Sequence, residues 1–276
     1  MPKKIIIAIL LLIFSLSLAG CNKYINKMPL EENTRSKIPI TQSGVSDNHQ
    51  RNTVIANDAM YKLIELKYSK SDSKMKCDIK YPKVSGLSDD DKQKKINLIL
   101  KDEALKVLNY YEGFEGNLEL NINYKVTLSS AKVLSIQYSG LGDVDTAAHP
   151  NNLFYTTNID ISTGNRLILK DIINIDKDFI DKFFNGQFKP LWPEQSEELK
   201  HLTKEEIQEN FKEADSLDNI GTEKQSDVFS YFTNDSLGIS VSVSHAIGDH
   251  AEFEIKYQDL KGNRKTENEI WKDLLH

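Results

Sequence analysis

The chain has 276 residues, with 35 Lys and Arg against 41 Asp and Glu and a formal net charge of −6. That balance is a poor basis for nucleic-acid binding, because phosphate contacts need clustered Lys and Arg. The two cysteines, Cys21 and Cys77, stand far apart, so a C-x-x-C redox or zinc motif is excluded.

Lys3 and Lys4 give a positive start, residues 5–18 form an apolar run broken by Ser15 and Ser17, and Leu18-Ala19-Gly20-Cys21 follows. A positive zone, an apolar zone and small residues at a cut read as a secretory signal peptide over residues 1–20. The run is short for a membrane span, which needs ~20 apolar residues. Leu-Ala-Gly-Cys at this place resembles the bacterial lipobox. The resemblance implies a diacylglyceryl thioether on Cys21 and an anchor on the extracytoplasmic face of the cell membrane. Two acyl chains hold a protein stably where one does so only marginally. A lipidated Cys21 leaves Cys77 without a disulfide partner, so stability must come from the core. Cleavage removes Lys3 and Lys4 and moves the formal charge from −6 to −8.

Residues 21–53 are polar and lack periodicity, as expected of a flexible tether. The folded region divides into an N-terminal part, 54–142, and a C-terminal part, 143–276. Met75, Cys77, Ile79 and Tyr81 alternate with polar residues, as do Leu118, Leu120, Ile122, Tyr124, Val126 and Leu128. Leu134, Ile136 and Tyr138 follow. Tyr155, Ile159 and Ile161 lead into the turn Ser162-Thr163-Gly164-Asn165, then Leu167 and Leu169, which reads as a hairpin. Leu237, Ile239, Val241 and Val243 alternate with small residues, and Phe253, Ile255 and Tyr257 with charged ones. Such alternation predicts strands with one wet face and antiparallel pairing.

Helices are fewer. Ser88 with three aspartates behind it predicts an N-cap, and Ile96, Leu100, Ala104, Val107 and Tyr111 recur at helical spacing up to Gly113. A second helix holds Phe179, Ile180, Phe183 and Phe184. Thr203 to Glu206 reads as a capping box ahead of Ile207 and Phe211. A short helix is expected within residues 267–275. Strands and helices do not alternate regularly, so the fold class is α+β, with antiparallel sheets and a few packed helices.

Four residues are candidate binding groups: His149, His245, Asp249 and His250. Two imidazoles and a carboxylate within residues 245–250 could ligate zinc, but the spacing matches no metal motif. His245 follows Val243 and is expected on the apolar side of a strand, packed and hydrogen-bonded. Asp249 after Gly248 suits a turn. His149 precedes Pro150 and is expected to fix a loop, or to join His245 across the fold. Asp143 and Asp145 read as solvated loop acids, and Cys77 as a buried structural cysteine. No nucleophile elbow, His-Glu-x-x-His pair or phosphate-cradling glycine loop occurs, so no metal or cofactor is expected. The acidic run over residues 194–213 reads as a solvated helix face, or as a docking surface for a cationic protein.

Three stretches carry a wider resemblance. The first is Tyr81-Pro82-Lys83-Val84-Ser85-Gly86-Leu87, running into a helix with Ile96-Asn97. The second, residues 140–172, holds Ala147-Ala148-His149-Pro150, Asn158-Ile159-Asp160, Thr163-Gly164 and Leu169-Lys170-Asp171-Ile172. The third runs from Tyr231-Phe232-Thr233 to Tyr257. Together they resemble the RsiV-like extracytoplasmic region, a two-part domain of lysozyme-sensing anti-sigma factors that also precedes the catalytic domain of some peptidoglycan deacetylases. The resemblance implies a surface binding module for a protein, lysozyme being the specific candidate, or for a cell-wall component. Neither full-length function is expected here: only four residues precede the apolar run, and about twenty follow residue 259. The late hairpin departs from the family pattern, with His245-Ala246-Ile247-Gly248-Asp249-His250 in place of a Pro- and Tyr-rich connection. The expectation is a non-catalytic binding module, the alternative a wall-directed hydrolase or deacetylase-associated protein using His and Asp of these loops.

Overall fold

The computed structural model describes residues 61–218 and 226–275, together with the strand Thr53–Val54. The expected signal peptide, Cys21 and the tether up to residue 52 lie outside the described residues.

Period-two apolar patterning builds the larger sheet. Its strands are β1 (Thr53–Val54), β2 (Lys62–Ser71), β3 (Met75–Ser85), β4 (Leu118–Ser129), β5 (Val133–Val144), β6 (Asn151–Asp160) and β7 (Asn165–Leu167), in sequence order. All neighbours pair antiparallel except β3 and β4, which are parallel. Parallel strands cannot be joined by a tight turn. The crossover is α1 (Asp90–Leu105), which tightens into the 3₁₀ segment Lys106–Tyr111 and stops at Gly113, whose φ is +78°. The cap is Asp89, one residue past the expected Ser88; its carboxylate accepts from the Lys92 N–H at 2.9 Å. Ile96, Leu100 and Ala104 face the sheet and meet Ile79, Ile122, Ile136 and Tyr155 in the first core. Asn97 fastens the helix to the end of β3. Its amide oxygen accepts from the Val84 N–H at 2.7 Å and its amide nitrogen donates to the Val84 carbonyl at 2.9 Å.

The smaller sheet has the order β8-β11-β10-β9, all antiparallel, from β8 (Lys189–Pro190), β9 (Phe229–Phe232), β10 (Ser236–Ser242) and β11 (His250–Lys256). Four short helices, α2 (Leu169–Ile172), α3 (Lys177–Phe184), α4 (Lys204–Lys212) and α5 (Ile270–Leu274), contribute to the second core. Its centre is aromatic: Phe183 meets Phe211 and Phe253 edge-on at 5.1 and 5.2 Å. The expected α+β class is therefore the observed one. Leu169 opens α2 where a strand end was expected. The expected division at residue 142 falls inside β5. What marks two parts is the pair of cores, the first including Leu217 and Phe229 and the second reaching back to Leu128 and Val133.

Where the sheets meet, β5 and β6 are buried on both faces. The contact there is polar and paired. Ser135 Oγ accepts from the Phe232 N–H at 2.9 Å. Thr156 and Asn158 both donate to the Ser230 carbonyl, at 2.6 and 2.8 Å, and Gln137 donates to Glu252 at 3.0 Å. Asp215 joins this seam and accepts from both the Ser230 N–H and its hydroxyl, and from the Leu169 N–H at 2.7 Å. Among the described residues, no helix is long and apolar enough to cross a membrane.

Candidate binding cleft

A cleft of about 270 Å³ lies between the end of the 3₁₀ segment, the start of β6 and the smaller sheet. Tyr110 and Tyr111 come from the first, Asn152 and Phe154 from the second, and Phe229, Ser240 and His250 from the third. Tyr111 reaches its place because β5 carries Gly142 beneath it. A Cβ at Gly142 would stand 1.8 Å from the tyrosine hydroxyl. A glycine inside a strand marks such a close approach.

Three polar atoms of this lining are buried without a hydrogen-bond partner in the protein: Tyr111 Oη, Ser240 Oγ and His250 Nδ1. Tyr111 is 9% exposed and Ser240 1%. The Asn151 side chain comes near the tyrosine hydroxyl, and the Gly248 backbone near the imidazole, without hydrogen-bond geometry. Ser240 pairs with Glu252 and Ser242 with His250 across β10 and β11, so Ser240 and His250 are diagonal neighbours on one sheet face. His250 stacks on Phe154, with centroids 4.7 Å apart. Burial draws the His250 imidazole below its ordinary pKa against the pull of Asp249, so the ring is neutral at pH 7.

The charged groups of the lining are acids. Among the described residues, Lys and Arg are absent from it. Asp227 accepts from the Tyr110 hydroxyl at 2.9 Å. Asp249 has φ +69° and follows Gly248 at +109°, a left-handed pair that turns the chain into β11. Its Oδ2 accepts from the Asn152 N–H at 2.8 Å and the Asn152 amide at 3.0 Å, while His245 Nδ1 donates to Oδ1 at 3.0 Å. Burial raises the Asp249 carboxyl, but these donors outweigh it and hold the group below the usual carboxylate range.

The four expected binding residues are thus brought together unevenly. Asp249 and His250 line the cleft. His149 is an exposed loop residue, as expected, and its ring stacks on that of His245. His245 is not on a strand: it opens the 3₁₀ turn His245–Ile247 and its side chain is 43% exposed. β10 ends at Ser242, and Gly248 and Asp249 need room to reverse the chain, so the apolar period does not extend to His245. Of the two acids expected in a loop, Asp143 is exposed but lies in β5, opposite Glu119, and Asp145 fixes a turn by accepting from the Asn117 N–H at 2.9 Å and its amide at 2.7 Å. Cys77 is buried, and burial pushes its thiol to about 11. Among the described residues, no group of three or more His, Cys, Asp or Glu is placed to hold a metal ion. Sequence reasoning missed Tyr111, Ser240 and Phe154. Gly142 in the middle of a strand was the available signal for the first.

Fold and cleft describe an α+β domain of two sheets with a small recess of mixed polar and aromatic lining beside their junction. No family model matches the chain, and no curated protein matches it. The chain is similar in structure to a member of the DUF3298 family from Bacteroides fragilis, at 14% identity and a TM-score of 0.49, over 79% of this chain and 99% of that one. It is also similar to a DUF3298 family protein from Pseudomonas aeruginosa, at 12% identity and a TM-score of 0.42, over 80% and 97%. Likeness at this level leaves function to be argued from the chain's own residues.

Proposed function

We propose that the chain is an exported binding module without catalytic activity, anchored through Cys21 at the extracytoplasmic face of the membrane, with the cleft as its ligand site. The observation that carries this reading is the gathering of Tyr111 Oη, Ser240 Oγ and His250 Nδ1, unpartnered, in one recess. Buried polar groups are ordinarily paired. Three exceptions lining one cleft support recognition of something polar there.

The same residues argue for binding over hydrolysis. A Ser-His-acid device needs the serine hydroxyl bonded to the imidazole and an acid orienting the far side of the ring. Ser240 and His250 make no such bond, and Glu252 lies 3.9 Å from His250 Nε2 while it accepts from Gln137. The test is co-sedimentation of the purified mature chain with isolated cell-wall material. Retention that is lost in the Ser240→Ala/His250→Ala double variant is the expected result. Release of soluble sugar or peptide from the wall by the wild type would overturn the non-catalytic reading.

A second reading has its own observation. Leu191 and Trp192 are 43% and 60% exposed, and they adjoin Glu194, Glu197 and Glu198 of the 3₁₀ segment Pro193–His201. An exposed aromatic beside like charges suits a basic protein partner, and the RsiV-like resemblance makes lysozyme the candidate. Calorimetry with lysozyme at moderate salt tests it, and absence of binding heat removes that partner.

A further inference from the structure

We infer that the cleft takes an uncharged sugar residue, an inference that rests on reading the cleft as a ligand site. Charge narrows the class first. An anion would lose its hydration facing Asp227 and Asp249, with neither Lys nor Arg among the described lining residues to offset that loss. A cation would look for a free carboxylate. Asp249 already accepts from the Asn152 N–H, the Asn152 amide and His245, and Asp227 accepts from Tyr110. The buried lining atoms without a partner belong instead to uncharged groups: two hydroxyls and an imidazole whose charged form burial disfavours.

The remaining chemistry selects among uncharged ligands. A wholly apolar ligand would leave Tyr111 Oη, Ser240 Oγ and His250 Nδ1 unpaired in a dry recess, at a cost of ~1–3 kcal/mol each. A hydroxylated ring satisfies them once a small side-chain shift uncovers these buried atoms, because tyrosine and serine hydroxyls both donate and accept and so match a ligand whose own groups do the same. A sugar ring also presents a face of C–H groups, and the cleft offers Phe154 and Phe229 as apolar walls for it. At about 270 Å³ the recess falls just below the range of ligand clefts, which run from ~300 Å³ upward, so it suits one ring rather than an extended chain.

The test is titration calorimetry of the purified mature chain with a tetramer of N-acetylglucosamine, with maltotetraose, and with glucose 6-phosphate as the charged control. Tyr111→Phe and Ser240→Ala remove the unpartnered hydroxyls one at a time. At least one neutral oligosaccharide should bind, and each variant should weaken it by about fivefold. Both variants should unfold at or above the wild-type temperature, since each deletes an unpaired buried group. Tighter binding of the sugar phosphate, or neutral-sugar binding untouched by the variants, overturns the inference. If both oligosaccharides fail while wall sedimentation still depends on Ser240 and His250, the sugar falls and the cleft stands. If both fail and sedimentation ignores those residues, the cleft falls as well.

Discussion

The imidazole of His149 lies flat against that of His245, with ring centroids 3.5 Å apart and planes 12° apart. The stack ties the loop before β6 to the turn after β10. It also argues against a shared ion, because imidazole lone pairs lie in the ring plane and two parallel rings do not aim them at one point. His245 Nδ1 is in addition engaged with Asp249. Zinc should leave the unfolding temperature unchanged; a rise of several degrees at micromolar zinc would refute this. His149→Ala should cost about 1 kcal/mol or less, the scale of an exposed aromatic pair, and should speed amide exchange over residues 245–249.

Asn97 gives a sharper expectation. It satisfies both backbone groups of Val84, a residue with no exposure. Asn97→Ala strands a buried donor and a buried acceptor, so a loss of about 2–3 kcal/mol is expected. In a domain of this size that lowers Tm by about 4–12 °C. A drop below one degree would show that solvent replaces both bonds.

Asp215 sets a pH dependence whose sign follows from its burial. Desolvation raises the carboxyl from 3.8 to about 6, against the hydrogen bonds from Ser230 and Leu169. Between those values the folded chain holds a proton that the unfolded chain has lost. Stability from this group is therefore full below pH 3.8 and falls as pH rises toward about 6, by up to ~1.4 kcal/mol per pH unit. The salt-bridged carboxylates act in the opposite sense, so a bulk melt mixes the two. Carbon-13 titration of the Asp215 carboxyl isolates it, and a midpoint in the ordinary aspartate range would refute the expectation.

Thiol counting tests the anchor and the core together. Cys77 is 1% exposed with its thiol pushed to about 11, so it should resist a thiol reagent in the native protein. In guanidinium, protein extracted from membranes should show one reactive thiol of its two cysteines, because a thioether on Cys21 does not react. Two thiols would mean that Cys21 carries no lipid.

How legible all this was depended on how many faces a strand buries. β4 buries alternate residues at its start, and its apolar period could be read directly. In β2 only Leu63 is fully buried, which leaves no period to find. β5 misled in the other direction. Leu134, Ile136 and Tyr138 signalled one buried face, but Ser135 and Gln137 between them are buried as well, held by partners distant in sequence. The cleft suffered the same way. Ser240 reads as a wet-face serine, yet it is 1% exposed. The histidines were noticed because histidine is scarce in this chain, six in all, yet of His149, His245 and His250 only His250 lines the recess.

The polar seam has a mechanical consequence. A slip of β9 along β5 and β6 by one strand period would leave Ser135, Thr156 and Asn158 facing the wrong backbone atoms, so the sheets have one docking register. Walls fixed in this way cannot swing apart like a hinge. A ligand would therefore meet two walls that keep their spacing, and only side chains of the lining would adjust to it. Association would then lose little ordering entropy in the backbone of those walls.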